Sequence, residues 1–153
     1  MEVRCGDLAS THRLAGAVAS LLRPGDVVVL TGELGAGKTA FVQGLAAALG
    51  ASGDVTSPTF TLLHHHATAG GFDLLHADLY RLDRLHEVAD LGLDVAAEDG
   101  AVVVVEWGER GLPALGPEHL DVSVVEGAGG ERMFSFFPVG ERWEGREIPL
   151  ARS

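Results

Sequence analysis

The sequence predicts a single three-layer α/β domain with helices on both faces of a mixed, mostly parallel central sheet. Three observations carry this. The run Val27-Val28-Val29-Leu30-Thr31 reads as a buried strand, and after a glycine-rich turn residues 40–49 read as a helix closed by Gly50. A second β-branched run, Val102-Val103-Val104-Val105, has no polar alternation, as expected of a strand covered on both faces in a parallel sheet. Residues 59–66 and 72–80 flank Thr68-Ala69-Gly70-Gly71 as two arms of an antiparallel hairpin added to that core.

Composition bounds the function. The 153 residues suffice for one domain with a real core, drawn here over residues 1–139, and the charged residues 140–153 are expected to form a flexible tail. No apolar run approaches membrane-spanning length, and the start of the chain lacks a basic-then-apolar signal pattern. The single cysteine, Cys5, has no internal partner, so a reducing cytoplasm is expected. The net charge of −11 would repel phosphate backbones. Direct binding of DNA or RNA is therefore not expected, and docking on a basic protein partner is.

In chain order, residues 8–22 place Leu14, Val18, Leu21 and Leu22 at helical spacing, with Asp7 or Ser10 as cap and Pro24-Gly25 as the stop. Next comes Gly32-Glu33-Leu34-Gly35-Ala36-Gly37-Lys38-Thr39, which fits G-x-x-x-x-G-K-[ST], the phosphate-binding loop, in the strand–loop–helix setting that motif requires. It enlists the only lysine in the chain. Glycines let successive backbone N–H groups turn toward one anion, and the helix start adds partial positive charge. Glu33 to Gly37, with Leu34, Gly35 and Ala36 between, together with Lys38, Thr39 and Ala40, are the candidate nucleotide-binding residues. Lys38 is expected to reach the β- and γ-phosphates, and the Thr39 hydroxyl to hold Mg²⁺. The chain contains no Asn, so it has no N-K-x-D guanine-reading motif, and ATP is favoured over GTP.

Beyond a turn-rich link at residues 51–54, Pro58 excludes a regular helix and marks a loop entering a strand. Ser57, Pro58, Thr59 and Phe60 lie where many phosphate-loop proteins carry a segment that senses the γ-phosphate, although a plain polar connector reads equally well. In the hairpin, His64 and His66 share one strand face and His65 takes the other; a solvated edge suits this run better than a metal site. Asp78 ends the second arm and is the first acid available to a magnesium site. Arg81 and Arg84 could touch phosphate, or pair with Glu87 or Asp90. Glu106 closes the valine run, where ligand chemistry of open α/β sheets collects, and should meet the same Mg²⁺ as Thr39. Trp107 follows as a core anchor or a cover on the nucleotide pocket. Residues 120–125 and 133–138 read as the last two strands, and Trp143 has no assigned role.

Taken together, these blocks resemble the TsaE (YjeE) family, the small ATPase of bacterial tRNA threonylcarbamoyladenosine synthesis. The phosphate loop is joined by Ser57-Pro58-Thr59-Phe60-Thr61, His76-Ala77-Asp78-Leu79-Tyr80-Arg81-Leu82, Glu87 with Leu91-Gly92-Leu93, and Val105-Glu106-Trp107-Gly108-Glu109, over about residues 25 to 125. The resemblance implies a P-loop NTPase fold and an ATPase that does not itself modify tRNA. It would act with a TsaB/TsaD-like complex that transfers threonylcarbamoyl to the adenosine 3′ of the anticodon, touching tRNA only through that complex. It also implies that Lys38 binds phosphate, that Thr39 and Glu106 hold Mg²⁺, and that Asp78 is a second-sphere magnesium acid or a water-orienting one. By the same resemblance residues 57–60 are switch-like, and Trp107 lies close to the nucleotide. The histidine run departs from the family, which usually carries an acid and an aromatic there, and the hairpin tip is unusually rich in glycine. Two other classes share the loop. A small-molecule kinase would need an acceptor pocket and an arginine-bearing lid, and a non-hydrolysing binding module would not need Glu106 or Asp78. With no obvious arginine finger, hydrolysis by the chain alone is expected to be slow.

Overall fold

A computed structural model describes residues 1–33, 37–51, 63–79, 91–107 and 117–149. In order these form β1 (Glu2–Cys5), α1 (Leu8–Ala19), β2 (Val27–Thr31), α2 (Lys38–Ala48), β3 (Leu63–Ala67), β4 (Asp73–Asp78), α3 (Leu93–Glu98), β5 (Val102–Glu106), β6 (His119–Glu126) and β7 (Arg132–Val139). Short 3₁₀ turns at Ala128–Gly130 and Glu141–Trp143 follow β6 and β7. Among the described residues the strands make one seven-stranded sheet in the order β1-β7-β6-β2-β5-β4-β3. Its centre, β6-β2-β5-β4, is parallel, and antiparallel pairs β3/β4, β6/β7 and β1/β7 extend both edges. The fold is the expected three-layer α/β domain with an added hairpin.

The two faces follow from strand alternation. Val28, Leu30, Leu74, Val102, Val104, Leu120, Val122 and Val124 point to the face covered by α1 and α2. Val27, Val29, Leu75, Ala77, Val103 and Val105 point to the other, under Leu93 and Ala97 of α3. Every residue of β5 is buried, as its unbroken valine run requires. α1 starts at Asp7, whose Oδ1 accepts the Ser10 N–H at 2.8 Å, and it buries Thr11, Leu14, Ala15, Val18 and Ala19 as one stripe. Gly44 brings α2 close to α1: a Cβ there would stand 2.9 Å from His12 Cα. The N-terminal strand β1 had no signal in the sequence, because four residues at an edge show little periodicity.

The segment after β7 differs from the expected flexible tail. Trp143 is buried in the same core cluster as the inward residues of α1 and α2, with the Arg146 guanidinium over its ring at 4.3 Å. Arg142 Nε and Arg146 Nη1 donate to the two carboxylate oxygens of Asp26 at 2.6 Å each, and the Arg23 N–H adds a third bond at 2.7 Å. Asp26 is fully buried at the entry to β2. Its charge needs these partners, and the partners come from the tail, so residues 140–149 are tied down. Leu150 to Ser153 lie outside the described residues, as do the phosphate-loop positions Leu34, Gly35 and Ala36, the switch-like Ser57 to Phe60, and Arg81, Arg84, Glu87 and Asp90.

This clamp sets a stability test. Asp26→Ala leaves the Arg146 charge buried without its partner and should cost about 3–5 kcal/mol in urea unfolding. Trp143→Ala should cost a similar amount, about 3–5 kcal/mol, through the cavity it opens. Losses below about 0.5 kcal/mol for both would mean the tail does not hold the domain together.

Candidate nucleotide site

The candidate site forms where β2, β5 and β4 end at their carboxyl edges. β2 runs out at Thr31, and Gly32 follows with φ 149°, a value that favours glycine. Glu33 is exposed. Gly37, at φ 109°, enters α2 in the left-handed region, and no side chain caps the helix. The Phe41 N–H bonds the Gly37 carbonyl at 3.1 Å, which makes Lys38, Thr39 and Ala40 the first turn, whose amides precede the helix's own hydrogen-bond ladder. An uncapped helix start preceded by glycines is an anion cradle. Arg132, at the start of β7, lies alongside: a Cβ on Gly37 would meet its Nε at 3.4 Å.

Lys38 is 5% exposed. Its ammonium donates to the Gly32 carbonyl across the base of the loop, and it lies 3.5 Å from the centre of the Trp107 ring. A cation over an indole face is an attractive contact. Trp107 reaches this position through a left-handed backbone, φ 61°, which is rare outside glycine, and its N–H bonds the Leu30 carbonyl at 2.9 Å. Thus the turn after β5 is fastened to β2 one residue before Thr31.

The two acids are register neighbours: Asp78 pairs with Glu106 across β4/β5, and Leu30 pairs with Glu106 across β2/β5. By alternation Asp78 and Glu106 share the face of Leu74 and Val104, the face on which α2 packs. Lys38, Thr39, Asp78 and Glu106 are therefore gathered at one end of one sheet face, while Trp107 packs against the opposite cluster and meets Lys38 with its ring. Glu106 is 3% exposed, and its Oε2 lies 2.5 Å from Nε2 of the fully buried His76. This partner was missed in the sequence, although a lone histidine inside Leu74-Leu75-His76-Ala77, two residues before Asp78, places it on the same face.

The histidine run separates as alternation requires. His65 and Asp73 form an exposed pair at 2.9 Å on the opposite face. His64 and His66 point inward, His66 buried and His64 half-buried with its ring 6.4 Å from that of His76. Only His65 therefore fits the solvated edge expected for the whole run. Burial first, then His76 and His66 nearby, lowers the pKa of His64 below that of a free histidine. No group of three or more His, Cys, Asp or Glu side chains suited to a metal occurs among the described residues. An open depression of about 470 Å³, lined by Pro24, His65, Phe72 and Asp73 among others, lies at the amino ends of the strands and is separate from this chemistry.

The comparisons with known proteins agree with this geometry. Residues 5–134 match the model of the family described as threonylcarbamoyl adenosine biosynthesis protein TsaE. A tRNA threonylcarbamoyladenosine biosynthesis protein TsaE from Streptomyces coelicolor is 44% identical, over 91% of this chain and 97% of its own length. The protein of the same name from Bacillus subtilis is 39% identical, over 88% of this chain and 83% of its own. The crystal structure of Bacillus subtilis YdiB superposes with a TM-score of 0.80 at 33% identity, covering 94% of this chain and 88% of that one. The phosphate-loop sequence, the uncapped α2 and the acid pair thus stand in a fold and family that agree with one another, and the chain belongs to the TsaE family.

Proposed function

We propose that this chain is a Mg²⁺-dependent ATPase serving threonylcarbamoyl modification of tRNA, acting with a TsaB/TsaD-like complex and not on tRNA directly. The observation that carries the reading is the convergence of the α2 start, buried Lys38 and buried Glu106 on one end of one sheet face. The names of the relatives supply the pathway. The net charge of −11 supports indirect contact with tRNA. The lack of Asn, and so of a guanine-reading motif, supports ATP. No helix among the described residues is long and apolar enough to cross a membrane, and we place the protein in the cytoplasm.

The amides of residues 38–40, with Glu33 to Gly37 ahead of them, would hold the phosphates of ATP. Lys38 would leave the Gly32 carbonyl and the Trp107 face for the β- and γ-phosphates, where its charge offsets the charge of the leaving group. The donor set suits magnesium: the Thr39 hydroxyl and the Glu106 carboxylate are hard oxygens on one face, with Asp78 beside them. Thr39 and Glu106 would hold the ion, which when bound neutralises phosphate charge. Asp78 or Glu106 would orient the attacking water. Residues 57–60 would act as the γ-phosphate switch.

ADP production from Mg-ATP tests the function. The chain alone should turn over slowly, and the TsaB- and TsaD-like partners with tRNA should raise the rate at least about tenfold. Equal rates in both tubes would contradict a partner-dependent ATPase. Replacing Lys38 removes charge-assisted bonds to phosphate, so Lys38→Ala should weaken ATP binding about 10- to 100-fold. Trp107 emission provides the readout, because Lys38 quits its ring when phosphate arrives. An unchanged affinity would place the nucleotide elsewhere.

A further inference from the structure

His76 is a buried polar group that the proposed chemistry does not use. It projects from β4 onto the face of α2, opposite Val104 in register, and reaches diagonally to Glu106 at the end of β5. Both side chains are shut off from water, with 0% and 3% exposure. An ionised carboxylate can only accept a hydrogen bond, so Nε2 carries the proton in this contact. His76 Nδ1 has no hydrogen-bond partner among the described residues. A bare lone pair there is cheaper than a buried N–H with nothing to receive it, which selects the neutral Nε2–H tautomer.

We propose that His76 is a positioning residue for Glu106: its Nε2–H fixes Oε2 and leaves Oε1 as the carboxylate oxygen for the metal. This rests on the reading of Glu106 as a magnesium ligand. Two features favour a positioning role over mere filling of the core. Asp78 and Glu106 are neighbouring acids on one face, and a donor on Glu106 offsets the repulsion between them. The imidazole also has little freedom to leave, being fully buried with the His64 ring standing edge-on at 6.4 Å. Hydrogen-bond partners that orient metal-binding carboxylates act in this way in metal sites generally.

Three variants and one spectrum test it. His76→Phe keeps the bulk of the ring and removes the donor; His76→Gln restores an N–H near the Nε2 position; Glu106→Gln tests the parent reading. The measurement is ATP binding by calorimetry as Mg²⁺ is titrated, alongside binding without Mg²⁺. His76→Phe should raise the Mg²⁺ concentration for half-maximal tightening about tenfold, and His76→Gln should return it to within about twofold of the parent. Affinity without Mg²⁺ should stay within about twofold in both, since the phosphate cradle is untouched. A folded His76→Phe with the parental Mg²⁺ requirement overturns the proposal, as does His76→Gln no better than His76→Phe. A fall in metal-free affinity equal to the loss with Mg²⁺ also overturns it, because that is what core damage would produce.

If His76→Phe does not fold, His76→Asn replaces it, since its shorter amide cannot reach Glu106. Impaired Asn with restored Gln supports the role, and equal behaviour overturns it. Glu106→Gln separates the two failures. A parental Mg²⁺ requirement there refutes the metal role of Glu106, whereas a raised one beside a parental His76→Phe refutes the positioning role alone. Long-range ¹H–¹⁵N spectra of the metal-free, nucleotide-free protein should show His76 as the neutral Nε2–H tautomer, and an Nδ1–H tautomer would contradict the assignment.

Discussion

A carboxylate buried at the end of an apolar strand is the constraint on which the site depends. Four valines lead to Glu106, which is itself almost wholly buried. Such a charge is costly unless something donates to it. His76 does so, and it can do so only because β4 lies beside β5 in the register that sets Asp78 against Glu106. The same seclusion makes the acid useful. In a site with little water its interaction with a cation is stronger than on an open surface. Lys38 is held on similar terms, nearly buried against a carbonyl and an indole face. On the proposed function, both are contacts that a phosphate can replace.

The rigidity behind this arrangement lies in β2. At one end the strand enters past Asp26, whose buried charge is met by two arginines from the segment after β7. At the other it feeds the glycine loop and accepts the Trp107 N–H from the turn after β5. Between these ends Val28, Val29 and Leu30 are wholly buried by helices on both faces. A site built on strands pinned at both ends holds its groups better than one built on loops alone. The chain thus uses two buried carboxylates for different ends. Asp26 is satisfied by arginines and fastens the tail, and Glu106 is left with one neutral donor and an oxygen to spare.

Much of this was legible in the sequence because the signals were local. The phosphate loop, the unbroken valine run and the glycine-rich hairpin tip each specify backbone or burial within a few residues, and the core strands and both principal helices follow from them. Alternation also separated His65 from His64 and His66 before any coordinates. What stayed hidden was pairing at long range. Asp26 follows Pro24-Gly25 and reads as a turn residue, yet its partners lie 116 and 120 positions away. Arg142, Trp143 and Arg146 therefore read as a loose charged tail. The Glu106–His76 contact spans 30 positions and needs the β4/β5 register, which the order of motifs along the chain does not give. Arg132 beside Gly37 was invisible for the same reason: a last hairpin swings back to the loop only once the order β7-β6-β2 is known.

The most direct measurement is a crystal structure of the chain with ADP and Mg²⁺. The phosphates should be seated on the first-turn amides of α2, with Lys38 moved from Trp107 to the phosphates. The ion should lie between the Thr39 hydroxyl and Glu106, with Glu106 still held by His76. Nucleotide bound away from α2, or a metal held without Glu106, would contradict this arrangement.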